Sequence, residues 1–363
     1  MSEELVEEKR PKVRLVAYYL PQYHPIPEND EWWGKGFTEW TNVVKAKPLF
    51  NGHYQPRLPA DLGFYDLRVP ETREAQAAMA KEHGIEAFCY WHYWFNGKRL
   101  LERPFNDVLT SGHPDFPFCL AWANQTWSGI WHGAPERILI EQTYPGLDDH
   151  MKHFYALLEA FSDNRYLKID DKPLFLIYRP KFPDSKRVTD LWRELAVKAG
   201  LKGLYLVGEE KASWIPQEHG FDASVPHPVN ELAGSAEKCH RFRRLKRMYK
   251  KLWRLPTLYP YEEILRVRMP GSPPGVERFP CILPNWDNTP RSGRNGLVLC
   301  GSTPELFGLH IQQEFSKVDN RNQDRRIIFI KSWNEWAEGN YLEPDMKFGR
   351  AYLEVLAREV FRG

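Results

Sequence analysis

The chain has 363 residues, and its 50 Lys and Arg nearly balance 48 Asp and Glu, which argues against a general nucleic-acid binder. Five scattered cysteines with no C-x-x-C pair imply neither a disulfide framework nor a zinc site. No apolar run approaches the roughly 18 residues of a membrane span.

Residues 1–12 are charged and lack the apolar region of a signal peptide, so a cytoplasmic location is expected. Val13 to Leu20 reads as the first strand, stopped by Pro21. The long loop that follows carries Trp32, Trp33, Glu39, Trp40, Asn42, His53 and Tyr54. Loops of this length are functional or disordered, and this one is too aromatic for disorder. Pro70 to His83 has a proline start and a glycine stop, the marks of a helix.

Ile85 to Tyr90 is the second strand, ending in Trp91, His92, Tyr93, Trp94 and Phe95. A helix around Leu100 to Thr110 leads to the third strand, Phe116 to Ala121, which ends in Trp122, Asn124 and Trp127. After a loop with Trp131 and His132, the helix His150 to Phe161 precedes the fourth strand, Pro173 to Ile177, ending at Tyr178 and Arg179. The helix Ser185 to Ala199 precedes the fifth strand, Leu204 to Val207, ending at Glu209. A short sixth strand, Phe221 to Val225, ends at His227. The seventh, Phe279 to Leu283, ends at Trp286 and Asp287. A helix from Pro304 to Val318, the apolar run Ile327 to Ile330 and a last helix from Tyr352 to Phe361 complete the chain.

Eight short buried strands alternating with helices form the pattern of an α/β (β/α)8 TIM barrel, read as one domain over residues 13–363. A doubly wound sheet would put a Gly-rich phosphate loop after the first strand; Pro21-Gln22-Tyr23-His24-Pro25 is nothing like one. No Walker or dinucleotide fingerprint occurs, so no cofactor is implied.

Around 234–275 the reading changes to a basic helical insertion. Lys238 to Arg254 holds nine Lys or Arg and no acid, with Phe242, Leu245, Tyr249 and Leu252 at helical spacing. Its plain reading is a solvated face. The alternatives are weak contact with an anionic membrane surface and a site for an acidic polymer.

Chemistry concentrates after the last strand, in Ser332-Trp333-Asn334-Glu335-Trp336-Ala337-Glu338-Gly339. Strand ends of this kind carry the chemistry of α/β barrels. Glu335 and Glu338 are three apart, so a helical turn there puts both on one face. Neighbouring carboxylates repel, so one holds its proton more tightly and the pair divides into acid and base. Trp333 and Trp336 would supply flat walls for a sugar ring. The plain alternative is a loop whose glutamates bind an arginine or cap a helix.

Other strand-end residues are candidates for the cleft: Tyr19, His24, Trp40, His92, Trp94, Trp122, Asn124, Tyr178, Glu209, His227, Trp286 and Asp287, with more than half expected to line it. Each is alternatively a hydrogen-bonded rim residue. Glu209 is the rival acid, since facing Glu338 it would restore the usual two-carboxylate mechanism. His24, His92 and His227 show no metal-ligand spacing, so no metal is expected.

The segments Tyr19-Leu20-Pro21-Gln22-Tyr23-His24-Pro25-Ile26-Pro27-Glu28-Asn29-Asp30, Gly36-Phe37-Thr38-Glu39-Trp40-Thr41-Asn42 and Ser332 to Pro344 resemble the WbsX-like proteins of bacterial surface-polysaccharide clusters. The resemblance runs from about Arg14 to Arg358. That group is similar in turn to glycoside hydrolase family 99, the endo-acting α-mannosidases and α-mannanases, which are (β/α)8 barrels. The resemblance implies that Glu335 acts on the sugar's own 2-hydroxyl and Glu338 is the general acid/base. The implied route passes through a 1,2-anhydro sugar with retention. Ala337 stands where the mannosidases typically have His, which bears on substrate identity more than on chemistry. The expected function is therefore a retaining endo-glycoside hydrolase of an α-linked, mannoside-like polysaccharide or lipid-linked glycan. The alternatives are a glycosyltransferase or transglycosylase of surface-polysaccharide (O-antigen) assembly, as such proteins have also been described, and a non-catalytic glycan-binding barrel.

Overall fold

The computed structural model describes residues 11–129, 134–239, 255–267 and 273–362. Trp131, His132 and 240–254 of the basic stretch lie outside them.

The main sheet is built from β1 (Arg14–Tyr19), β2 (Ile85–Phe95), β3 (Phe118–Trp122), β4 (Lys172–Ile177), β5 (Tyr205–Glu209), β6 (Ala223–Val225), β7 (Glu277–Arg278), β8 (Cys281–Ile282) and β9 (Ile327–Ile330). Its hydrogen-bonded path runs β7-β6-β5-β4-β3-β2-β1-β9-β8, with every neighbouring pair parallel. The expected seventh strand is split in two at Phe279-Pro280, where proline has no N–H to give a ladder. The chain still bridges the gap. Phe279 N donates to Ser224 O of β6 at 2.9 Å, and Pro280 O accepts from Phe329 N of β9 at 2.9 Å. The two ends of the path are thus two residues apart in one stretch of chain. The architecture is a TIM-barrel-like α/β fold, a parallel sheet curled on itself.

Strands buried on both faces read as continuous apolar runs, and Leu15, Val16, Ala17, Ile327, Ile328, Phe329 and Ile330 have no exposure. Helices Pro70–Glu82, Arg103–Ser111, Leu147–Ser162, Ser185–Lys198, Pro304–Phe315 and Ala351–Phe361 fall where proline starts and apolar spacing place them. Gly84, at φ +81° after the first of these, leaves no room for a side chain: a Cβ would lie 2.8 Å from Val360 Cγ1. That contact seats the last helix against the entry to β2.

Two features were not legible. The long loop after β1 contains helices Pro27–Trp33 and Glu39–Lys45, too short to show a periodic stripe. Thr257–Pro260 forms a parallel ladder on Leu297–Cys300. Beneath it lies a second small core of Val229, Leu232, Tyr261, Ile264, Leu283, Trp286 and Leu299.

Candidate active site

A cleft of about 460 Å³ opens at the carboxyl ends of the strands, and Glu335 and Glu338 both line it. That volume is in the ordinary range for small-molecule sites. The turn that carries them is a 3-10 turn, Trp336–Glu338, with Glu335 as its N-cap. In 3-10 geometry residues i and i+3 eclipse, so the spacing of three brings the two carboxyls to one side, where they share a hydrogen bond.

The turn is pinned on both flanks. Asn334 acts as a surrogate strand: its Oδ1 accepts from Leu20 N at 2.7 Å and its Nδ2 donates to Leu20 O at 3.1 Å. Asp287 N donates to Glu338 O at 2.6 Å. Gly339 sits at φ +61°, and a Cβ there would meet Asp287 Cβ at 2.8 Å.

Electrostatics separate the two glutamates. Burial raises the Glu338 carboxyl to about 8, the charge of Glu335 adds to the rise, and Arg291 opposes it. Glu335 Oε1 accepts from the indole N–H of Trp91 at 2.7 Å. Lys331 lines the floor with its side chain 4% exposed. Burial works against its charge, but Glu209 at 3.0 and 3.2 Å, together with Tyr178 and Glu335, more than restores it, so Lys331 is held as a cation. Burial, with Lys331 and Arg179 adding, drives His227 well below its ordinary value, so its ring is neutral. Its Nδ1 accepts from Val229 N at 3.2 Å, which places the ring proton on Nε2 as a fixed donor.

Of the twelve strand-end candidates, Tyr178, His227 and Trp286 line the cleft, so the expectation that more than half would do so fails. The main reason is the two-residue alternation of strands. β2 runs on to Phe95, so Trp91 and Tyr93 face the cleft while His92 and Trp94 face the helix Leu147–Ser162. There His92 Nε2 meets His153 Nε2 at 2.8 Å, and Trp94 Nε1 donates to Asp149 Oδ2 at 3.0 Å. Tyr19 likewise points outward and donates to Gln76 at 2.6 Å, while Tyr18 points inward to Glu209 at 3.1 Å.

The remaining candidates serve as supports. Trp122 is 1% exposed and packs against His153, Trp192 and Phe182. Asn124 holds Arg179 by its N–H and carbonyl. His24 bonds Pro21 O at 3.0 Å, and Trp40 donates to Tyr65 O at 2.8 Å. Asp287 is fully buried, bonded to His53, Gln55 and Thr289. Glu209 partners Lys331 and Tyr18, rather than confronting Glu338 as a second acid.

Trp333 and Trp336 are also corrected. They are 0% and 1% exposed, because the turn folds back on its own short hairpin. Trp336 stacks on Tyr341 at 3.8 Å and donates to Glu343; Trp333 packs on Phe88. The aromatic walls come instead from Trp33, Trp91, Trp127 and Trp286.

Reasoning from sequence missed Glu39, Arg291 and Lys331 as cleft residues. Lys331 had a signal, a lone cation directly after an apolar strand. Glu39 stood in the aromatic loop already read as functional. Arg291 had none, since its role depends on partners 252 and 47 residues away.

The fold and the cleft define a class of barrel-like α/β proteins that hold a carboxylate pair among aromatic rings at the carboxyl ends of the strands. Within it, the chain belongs to the WbsX family: residues 15–356 match the family described as "Glycosyltransferase WbsX". A protein called WxcX, described as uncharacterized, from Xanthomonas campestris pv. campestris strain B100 is 38% identical over 357 residues. That match covers 96% of this chain, which spans about half (50%) of the relative's length. Among solved structures, a glycoside hydrolase-like protein aligns over 98% of this chain and 96% of its own, with TM-score 0.60 and 14% identity. The GH99 endo-alpha-mannosidase of Bacteroides thetaiotaomicron aligns over 97% and 98%, with TM-score 0.56 and 14% identity. At that identity the likeness speaks for the fold.

Proposed function

We propose that the chain is a retaining, endo-acting glycoside hydrolase of an α-linked hexose bearing a free 2-hydroxyl. The observation that carries this reading is the hydrogen-bonded pair Glu335–Glu338 on one turn in the cleft, with one member raised to about 8. Two carboxyls three residues apart cannot flank a sugar from opposite faces in the usual way. They suit attack by a group on the sugar itself. Glu335 takes the proton of the 2-hydroxyl as O2 closes on C1, and Glu338 gives its proton to the departing glycosidic oxygen. The 1,2-anhydro sugar then opens to water: Glu338 takes the water's proton, and Glu335 returns one to O2. Two inversions at C1 amount to retention. We read the ring of strands as closed at Phe279-Pro280, which gives this chemistry the rigid floor of a (β/α)8 barrel.

Neutral His227 offers a donor to a sugar oxygen, and Trp33, Trp91, Trp127 and Trp286 offer ring faces. The substrate is proposed to be mannoside-like because the fold is shared with an endo-mannosidase. Incubation with a panel of α-linked bacterial and fungal polysaccharides, scored for new reducing ends, tests this: release by wild type and loss in Glu338→Gln is expected. The family's description favours a second reading, glycosyl transfer or transglycosylation in surface-polysaccharide assembly. Turnover of a nucleotide sugar with no release of reducing ends would choose it.

A further inference from the structure

The carboxyl proposed as the acid is not oriented by its own turn alone. Arg291, on the short helix Thr289–Ser292, lies between two carboxylates from opposite ends of the chain. Its Nε donates to Glu39 Oε1 at 2.6 Å and its Nη1 donates to Glu338 Oε1 at 2.5 Å. Arg291 is 7% exposed and Glu39 is 1% exposed. Glu39 opens the helix Glu39–Lys45, which a reciprocal bond between Thr38 and Thr41 caps, so its position is set by local structure.

A guanidinium has five donors and no acceptor. Glu338 Oε1 must therefore accept, and the proton of neutral Glu338 belongs on Oε2. A carboxylate only accepts, so the bond between the two glutamates runs from Glu338 O–H to Glu335. The groups facing Glu338 are Glu335, Arg291, Lys331, Tyr93, Tyr178 and the amide of Asn340. Arg291 is the cation in direct contact. Alone, it would favour ionised Glu338 and strip the acid of its proton. Glu39 places a negative charge on the same guanidinium and offsets that pull.

We propose that Glu39 is a positioning residue which, through Arg291, orients Glu338 and keeps its proton in place at neutral pH. The proposal rests on the reading of Glu338 as the acid. It adds a role for the aromatic loop after β1: to deliver one carboxylate to the back of the acid's holder.

Urea unfolding of the full chain from pH 5 to 9.5 provides a test that needs no substrate. The stability difference between wild type and Glu338→Gln follows the titration of Glu338, and the same difference in a Glu39→Gln background shows what Glu39 does to it. The midpoint is expected to fall by at least about one pH unit, a tenfold loss of proton affinity. Glu39→Asp, which keeps the charge, should stay near wild type. Arg291→Gln should move the midpoint the opposite way, and adding Glu39→Gln to it should leave the midpoint there, because Glu39 acts through Arg291; that double variant decides the matter if Glu39→Gln alone does not fold. Superimposable titrations with only a uniform loss of stability would overturn the proposal. On any cleaved polymer, the basic limb of kcat/KM should shift in step. Should wild type cleave nothing, the acid role fails while the unfolding titrations still decide whether Glu39 governs the proton.

Discussion

Breaking the ion pair in the cleft floor by Lys331→Met gives a prediction whose size follows from the geometry. Lys331 Nζ lies 3.0 Å from Glu209 Oε1, and both side chains are 4% exposed. At an effective dielectric of about 20, two unit charges at that distance attract by roughly 5–6 kcal/mol. Desolvation of both ions cancels much of this in the intact pair, but a lone survivor keeps its desolvation cost without the attraction. Lys331→Met and Glu209→Gln should therefore each lose about 3–5 kcal/mol. The double variant should lose much less than the sum, because no unpaired charge remains. Urea unfolding at pH 7, analysed as a double-mutant cycle, reads the coupling directly. The rings of Tyr18, Trp91 and Tyr178 at 4.9–5.6 Å from Nζ add a smaller cation–π share. Additive losses, with coupling below about 0.5 kcal/mol, would refute the view that Lys331 is held in the cleft by Glu209.

Glu338→Gln should change how stability varies with pH. A carboxyl raised from 4.5 to about 8 in the fold stabilises the protein below pH 4.5 and loses that stabilisation as pH rises through 8, at up to about 1.4 kcal/mol per unit. Wild type should thus fall relative to Glu338→Gln across that window and run parallel to it above; curves parallel throughout would contradict this. Gly339→Ala should lower the melting temperature and the rate of reducing-end release together, since a left-handed backbone costs a side chain about 1–2 kcal/mol and the Cβ would meet Asp287 at 2.8 Å. Trp91→Phe removes the N–H bond to Glu335, a charge-assisted contact of about 1.5–3 kcal/mol. Its kcat/KM should drop roughly tenfold to a hundredfold; an unchanged value would mean that bond plays no part in the reaction.

Much of the fold was legible because eight apolar runs and their flanking prolines state it residue by residue. Ile327 to Ile330 and the helix from Pro70 could be read without tertiary knowledge. Phe279 to Leu283 is split for a local reason: Pro280 breaks the ladder within an otherwise suitable strand, leaving Cys281–Ile282 in the sheet. The carboxylate pair was legible from spacing, although a 3-10 turn rather than an α-helical one brings the two together. The rest of the cleft was misread wherever nearness to a strand end was taken for orientation. Trp91 and His92 are neighbours in sequence, yet alternation sends one to Glu335 and the other to His153. Trp333 and Trp336 looked like sugar platforms because they flank the glutamates, but the hairpin Asn334–Glu335 with Asn340–Tyr341 turns them inward. Arg291 belongs to no motif, since three distant segments have to meet before it has a role.

The central claim is that Glu335 and Glu338 act through the sugar's own 2-hydroxyl. The most direct measurement compares an α-linked oligosaccharide from a cleaved polymer with the same oligosaccharide methylated at O2 of the residue whose bond is broken, followed by proton NMR of the products and intact mass of the protein. The proposed chemistry predicts that the parent is cleaved with retained configuration, while the methylated form survives and leaves the protein mass unchanged. Cleavage of the methylated form, or a sugar attached to the protein, would contradict it.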